Sequence, residues 1–319
     1  MMFKWMYSKS CLALLGAALL VSTQANADDD QDNEINVWYD LEWIAEQRQE
    51  HPLVGRLWDV AEEQFIDWEQ LRQQLPRSGW ILLGEQHDHP DHHQLQRWFI
   101  ERLASGDNLG NVAMEMIASD QQEAIDQWQG DVDNLVPDEL NWPERGWPWQ
   151  HYAAQVTSAL RYAERLVAGD LSTVEKSEVR ENLDKIERYS DSHNVFLADL
   201  VVSSHCNLFP ADRADPMVAM QIARDQYMAE QLARFSVAQK VSVFIAGSGH
   251  VRADYGVPKW LPDELPRITI ILQAVGGSED PSSYLADRHN DEQPADLILF
   301  VPALPERDYC AELLEQMQR

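Results

Sequence analysis

"WILLGEQHDHPDHH" occupies Trp80–His93. Its first four residues are apolar without alternation, the pattern of a strand buried on both faces. Gly84 and Glu85 end the run. Pro90 then opens a stretch with Leu95, Trp98, Phe99 and Leu103 at helical spacing. A buried strand that passes through a polar loop into a helix is the unit of an α/β fold. The same rhythm returns along the chain. "NVAMEM" (111–116) precedes the helix-like "SDQQEAIDQW", with Ser119 as its expected cap, and Val241–Ala246 forms a third buried-strand candidate ending in Gly247. "RITIILQ" and "DLILFV" add two strands, and the tail from Glu306 reads as a closing helix.

Between the second and third strands the pattern changes. "NWPERGWPWQHY" reads as a Trp/Pro-rich loop, with Trp142 and Trp147 each stiffened by the proline that follows. A helix is expected around Ala153–Ala168, and Ser172 and Glu175 stand at capping-box spacing before a charged helix. Residues 215–235 have apolar side chains three and four apart and form another helix. These features predict an α/β domain, with a mainly parallel sheet flanked by helices. A helical cap subdomain is expected as an insertion at about 137–236 in a domain spanning 28–319.

The first 27 residues, "MMFKWMYSKSCLALLGAALLVSTQANA", carry Lys4 and Lys9 ahead of an apolar stretch from Cys11 to Val21 and close on Ala25-Asn26-Ala27. This is the pattern of a secretory signal peptide, with an apolar part too short to span a bilayer comfortably. The expected product is periplasmic or secreted, cleaved near Ala27, with a polar leader over 28–36. The net charge of -29, from 54 acidic and 25 basic side chains, repels a phosphate backbone and argues against nucleic acid or anionic lipid as a partner. Cys206 and Cys310 remain after cleavage; an oxidising compartment would allow them to pair, and their sequence separation leaves the question open.

Three of the strands end in chemistry-bearing residues: Glu85 and His87, then Glu115, then His250. Ligands of open α/β sheets bind outside the carboxyl ends of the strands, so parallel strands would gather these side chains into one crevice. Each has an ordinary alternative, since a strand-end glutamate is usually solvated or paired with arginine. Glu115 is harder to dismiss because "VAMEMI" surrounds it with apolar side chains, and a buried carboxylate needs a cation, a hydrogen bond or a proton. His92 and His93 fall in the first helical turn, where the helix dipole favours the neutral imidazole that a metal requires. "GEQH" and "GSGH" both deliver a histidine through a glycine turn. Nitrogen and oxygen donors without thiolate suit a catalytic metal or the iron of a bound cofactor.

Together "LLGEQHDHPDHHQLQ", "VAMEMIASDQQEAID", the loop with Trp142, Trp149 and Tyr152, "ARDQYMAEQLA" and "IAGSGHVRADYGVP" resemble the ChaN-like haem-binding family of the wider Tiki/erythromycin-esterase superfamily. The resemblance runs in order over about residues 65–260. It implies an exported haem-binding protein of iron uptake or handling, with haem as cofactor and a homodimer and transport or receptor components as partners. It also implies tyrosine and histidine at the iron, for which His87, His92, His93, Tyr152 and His250 are the candidates. Arg145, Arg213 or Arg252 would pair the propionates. Met217, Met220 and Met228 would cover the ring, although methionines at helical spacing are commonly plain core. The superfamily also implies an alternative, a metal-dependent hydrolase. In it Glu85 or Glu115 is the general base, and His87, Glu115 and His250 surround a divalent metal or water. Two departures stand out: the leader has no cysteine placed for lipid attachment, and residues 171–211 do not follow the family pattern.

Overall fold

The computed structural model describes residues 37–285, 288–289 and 291–317; the expected signal peptide and leader lie outside them. The strands are β1 (Leu57–Asp59), β2 (Gln64–Ile66), β3 (Gly79–Glu85), β4 (Leu109–Ala118), β5 (Leu166–Asp170), β6 (Val241–Gly247), β7 (Arg267–Ala274) and β8 (Leu297–Val301). They form one sheet in the order β2-β1-β8-β7-β3-β6-β4-β5. From β8 to β5 every pairing is parallel, and β1 joins β8 and β2 antiparallel at the edge. The fold is therefore mixed α/β with a mainly parallel core, as the apolar runs predict.

Every residue of β3 and β6 is buried, which explains why neither run alternates. Side chains of successive strand residues point to opposite faces, and both faces are covered. Ile81, Leu83, Val112, Val243 and Ile245 pack on one side with α2 (Pro90–Ser105) and α4 (Trp149–Tyr162). Trp80, Leu82, Phe244 and Ala246 pack on the other with Met228, Ala229 and Leu232 of α7 (Asp215–Arg234). Helix α1 (Trp68–Gln74) opens on a capping box from Asp67, and the short α3 (Gln122–Gln127) follows β4. Gly84 lets β3 lie under the four-residue helix α8 (Ser248–Val251): a Cβ there would come within 3.1 Å of the Ser248 Cα.

The middle of the chain departs from an all-helical insertion. Residues 166–168, expected to finish a helix, instead pair with β4 as part of β5. Backbone bonding to a neighbouring parallel strand outweighs the helical spacing of "LVA", an override that local sequence does not display. Beyond β5 come α5 (Thr173–Glu181), capped by the predicted Ser172–Glu175 box, and α6 (Asp191–Ser204), which packs on α7. Helix α9 (Tyr309–Met317) closes the chain. Cys206, just past α6, is bonded to Cys310 of α9, so the pairing the sequence leaves open is made. Among the described residues no helix is long and apolar enough to cross a membrane.

Candidate functional site

Because β3, β6 and β4 are parallel neighbours, their carboxyl ends come out at one rim. Glu85 stands beside Gly247 in register, and Glu115 lies one strand further on. A cleft of about 550 Å³ opens there, lined by Glu85, Gln86, His87, His92, Glu115, Gln221, Arg224, His250 and Gln273 among others. The convergence expected of residues more than 160 positions apart is thus present.

Glu85 is the hub of one half. Its Oε1 receives the Tyr152 hydroxyl at 2.8 Å and lies 2.8 Å from His87 Nδ1. Its Oε2 is hydrogen-bonded by the Gln96 carboxamide and lies 3.5 Å from His93 Nε2. A carboxyl group behind one ring nitrogen fixes the tautomer and raises the donor strength of the other. His87 Nε2 is that other nitrogen. It faces the cleft 4.0 Å from Glu115 Oε2, and the side chain is 42% exposed. Trp147 of the Trp/Pro-rich loop packs edge-on against the ring at 4.8 Å. The room for that ring comes from Gly247, where a Cβ would sit 2.9 Å from His87 Nε2. Burial alone would lower the His87 pKa, but the bond to Glu85 and the nearby Glu115 outweigh it and raise the value.

Glu115 anchors the other half, and it is fully engaged. Arg224 donates to Oε1 at 2.6 Å, the Gly247 N–H donates to Oε2 at 2.7 Å, and His250 Nε2 lies 3.4 Å away. Burial would raise its pKa, yet His250 and Arg224 hold it well below the usual carboxylate range. His250 is caught between two acids, with Nδ1 2.5 Å from Asp225 Oδ1. Burial opposes its charge, but Glu115 and Asp225 lift its pKa to about 9, so it is an imidazolium at neutral pH. Burial in turn raises Asp225 to about 6. Arg224 also binds Asp170, at the end of β5, through bonds of 2.8–3.1 Å.

These contacts revise the expected ligand set. His250 lies between Glu115 and Asp225, which favour its charged form, so in this arrangement it is an ion-pair partner of both acids. His92 accepts the Gln86 N–H on Nδ1 at 2.9 Å, which places its proton on Nε2 and removes the remaining lone pair. Burial, then His89 and His93, hold it far below the usual imidazole range. His93 is buried against His151 and Tyr152 and does not line the cleft. Tyr152 is fully buried, and burial followed by Glu85 pushes its hydroxyl pKa up, so it is a donor that holds Glu85. Arg252 binds the buried Asp254 at 2.7 and 2.9 Å and lies outside the cleft, while Arg145 and Arg213 are exposed elsewhere. Met228 belongs to the core under the sheet. His89 is structural, capping α2 and lying 3.0 Å from the Pro302 carbonyl of the chain after β8. Of the candidates, His87 alone combines cleft exposure with a ring nitrogen free of hydrogen bonds among the described residues.

The hydrolytic donor set fares differently. His87, Glu115 and His250 are neighbours, yet among the described residues no three His, Cys, Asp or Glu side chains are grouped to hold a metal ion. Arg224 and the Gly247 amide already donate to the two Glu115 oxygens. For haem the test is kinder. His87 presents at the cleft a carboxyl-backed ring nitrogen, the kind of donor with which histidine holds a haem iron.

Three charged residues of the site escaped the sequence reading, Arg224, Asp225 and Asp170, as did the carboxamides of Gln96 and Gln221. A signal for Asp170 was present, since "LVAGD" has the same apolar-run, glycine, acid form as "WILLGE". Arg224-Asp225 offered a weaker one, an adjacent pair of opposite charges on the apolar stripe of a helix.

The fold and cleft define an α/β protein whose ligand site lies at the carboxyl edge of a parallel sheet and presents a carboxyl-backed histidine. The family model for haem-binding uptake proteins of the Tiki superfamily, ChaN, matches residues 71–261, and the chain belongs to that family. Among solved structures it resembles ChaN of Campylobacter jejuni, described with cofacial haem binding. The identity is 23% and the TM-score 0.62, over 76% of this chain and 95% of that one. A variant of the erythromycin esterase EreC in its open conformation matches at 12% identity and a TM-score of 0.49, over 76% of this chain and 95% of that one. No curated protein matches the chain.

Proposed function

We propose that this chain binds haem through His87 and acts, after export, in haem or iron uptake. The observation that carries the reading is the His87 imidazole, with Nδ1 held by Glu85 and Nε2 turned into the cleft. Family membership and the likeness to the Campylobacter jejuni fold support haem as the ligand. The secretory pattern of residues 1–27 and the Cys206–Cys310 bond both suit an oxidising compartment such as the periplasm. When bound, haem would supply a redox-active iron. The chain's own part is to orient one imidazole through Glu85, Tyr152 and Gln96, and to keep the other histidines of the loop occupied. A homodimer sharing haem between subunits, and a transport component that receives it, complete the proposed role.

Haemin titration of the purified mature chain, followed by absorbance, tests this. A saturable Soret shift is expected. His87→Ala should weaken affinity by about 10- to 100-fold, in line with losing an oriented ligand, while His250→Ala should act through stability instead. Titration without a Soret change, or an affinity indifferent to His87→Ala, would overturn the assignment.

A further inference from the structure

The cleft around His87 is walled mostly by carboxyl, carboxamide, imidazole and guanidinium groups, with Leu272 and Ala274 as its small apolar share. A large apolar ring laid against them would strand polar groups without water, at a substantial cost. An apolar surface must therefore be found nearby if the iron sits at His87. One exists. A second cavity of about 430 Å³ lies beneath α6, with Leu197, Leu200 and Val201 of that helix facing Val218 of α7 and Tyr255. The two cavities adjoin, since Gln221 and Gly249 line both. Each falls within the range of about 300–1,000 Å³ usual for small-molecule pockets. Gln221 marks the seam chemically: its carboxamide lies 3.0 Å from His250 Nδ1 on the polar side, and the apolar walls begin beyond it.

We propose that this chamber beneath α6 receives the apolar edge of the porphyrin, leaving the iron at the polar rim. The proposal rests on the haem reading and deepens it. An amphiphile is the occupant that matches a hydrogen-bonding cleft beside an aliphatic chamber; a small polar iron chelate would gain nothing from Leu197, Val201 and Val218.

The chamber and the iron ligand are separable by experiment. The mature chain, with His87→Ala, Val218→Trp and Leu200→Trp variants, is titrated with haemin by absorbance and with iron-free protoporphyrin IX by fluorescence. Filling the chamber should weaken binding of both porphyrins by about 10-fold or more, whereas His87→Ala should weaken haemin and leave iron-free porphyrin nearly unchanged. Val218 is fully buried, so if Val218→Trp loses its circular dichroism the half-buried Leu200 carries the test. Filled, folded variants that bind both porphyrins as tightly as the parent, with His87→Ala still impaired for haemin, would overturn the chamber and spare the haem reading. A parent chain that binds neither porphyrin would overturn both.

Discussion

Arg224 is the residue on which the buried charges of the site depend. It is 18% exposed and joins two carboxyl groups, Glu115 and Asp170, that are each 3% exposed. Breaking a buried pair by removing one partner leaves an uncompensated charge, typically at about 3–5 kcal/mol. Arg224→Met is therefore expected to lower unfolding stability by about 3 kcal/mol or more, measured by urea denaturation. The double replacement Arg224→Met with Glu115→Gln should recover part of the loss. If the single variant is as stable as the parent, the network is not the anchor described. The residue scale also answers why ten positions of "GEQHDHPDHH" hold four imidazoles. His89 caps α2, His92 fastens the Gln86 amide, His93 packs beneath the hub, and His87 is the one of the four that is exposed at the cleft. The cluster could be seen in the sequence, but this division of labour could not, since it depends on which ring nitrogen meets which distant group.

At the scale of elements, α6 is held to the body of the protein by stacked rings. Tyr189, just before the helix, stacks on His193 at 3.9 Å, and His193 stacks on His289 at 4.0 Å. His193 Nε2 and His289 Nδ1 are buried without hydrogen-bond partners among the described residues. Burial, then the neighbouring His289 and Lys259, lower the His193 pKa to about 4, opposed by Glu292 and Asp254. The folded state thus resists a proton that the unfolded chain takes up near pH 6.5. Stability is present in full above that pH. It falls as the pH drops from about 6.5 toward 4, by up to about 1.4 kcal/mol per pH unit for this one group. Hydrogen exchange of α6 as a function of pH checks this: protection should decline over that window, and His193→Phe should flatten the decline. Strands fared unevenly at this scale. The long runs of β3, β4, β6, β7 and β8 are legible because burial on both faces leaves no polar alternation. β1 and β2 have three residues each, too few for period to speak, and β5, though as long as β8, has only three apolar side chains before Gly169 and Asp170.

Across the whole molecule, the carboxyl-terminal segment ties the cap to the cleft. Arg307 pairs with Asp88 at 3.1 Å, Tyr309 receives a hydrogen bond from Gln86 at 3.2 Å, and Cys310, which follows Tyr309, is bonded to Cys206 beyond α6. A crosslink closing a loop of about a hundred residues typically contributes about 2–4 kcal/mol. Reduction by a dithiol, or Cys310→Ser, should lower thermal stability on that order and leave the sheet intact by circular dichroism; unchanged melting would show that the bond carries no constraint. The pairing illustrates where sequence stops. Local order along the chain determined the α/β class, the parallel strands, the helix caps and the stock of acids and imidazoles at strand ends, because these follow from period and from the backbone within a few residues. Only the tertiary structure decided strand order, the Cys206–Cys310 bond, the burial of Tyr152, the pairing of His250 with two acids and the exposure of His87 at the cleft, because each depends on the field and contacts of groups far away in the chain.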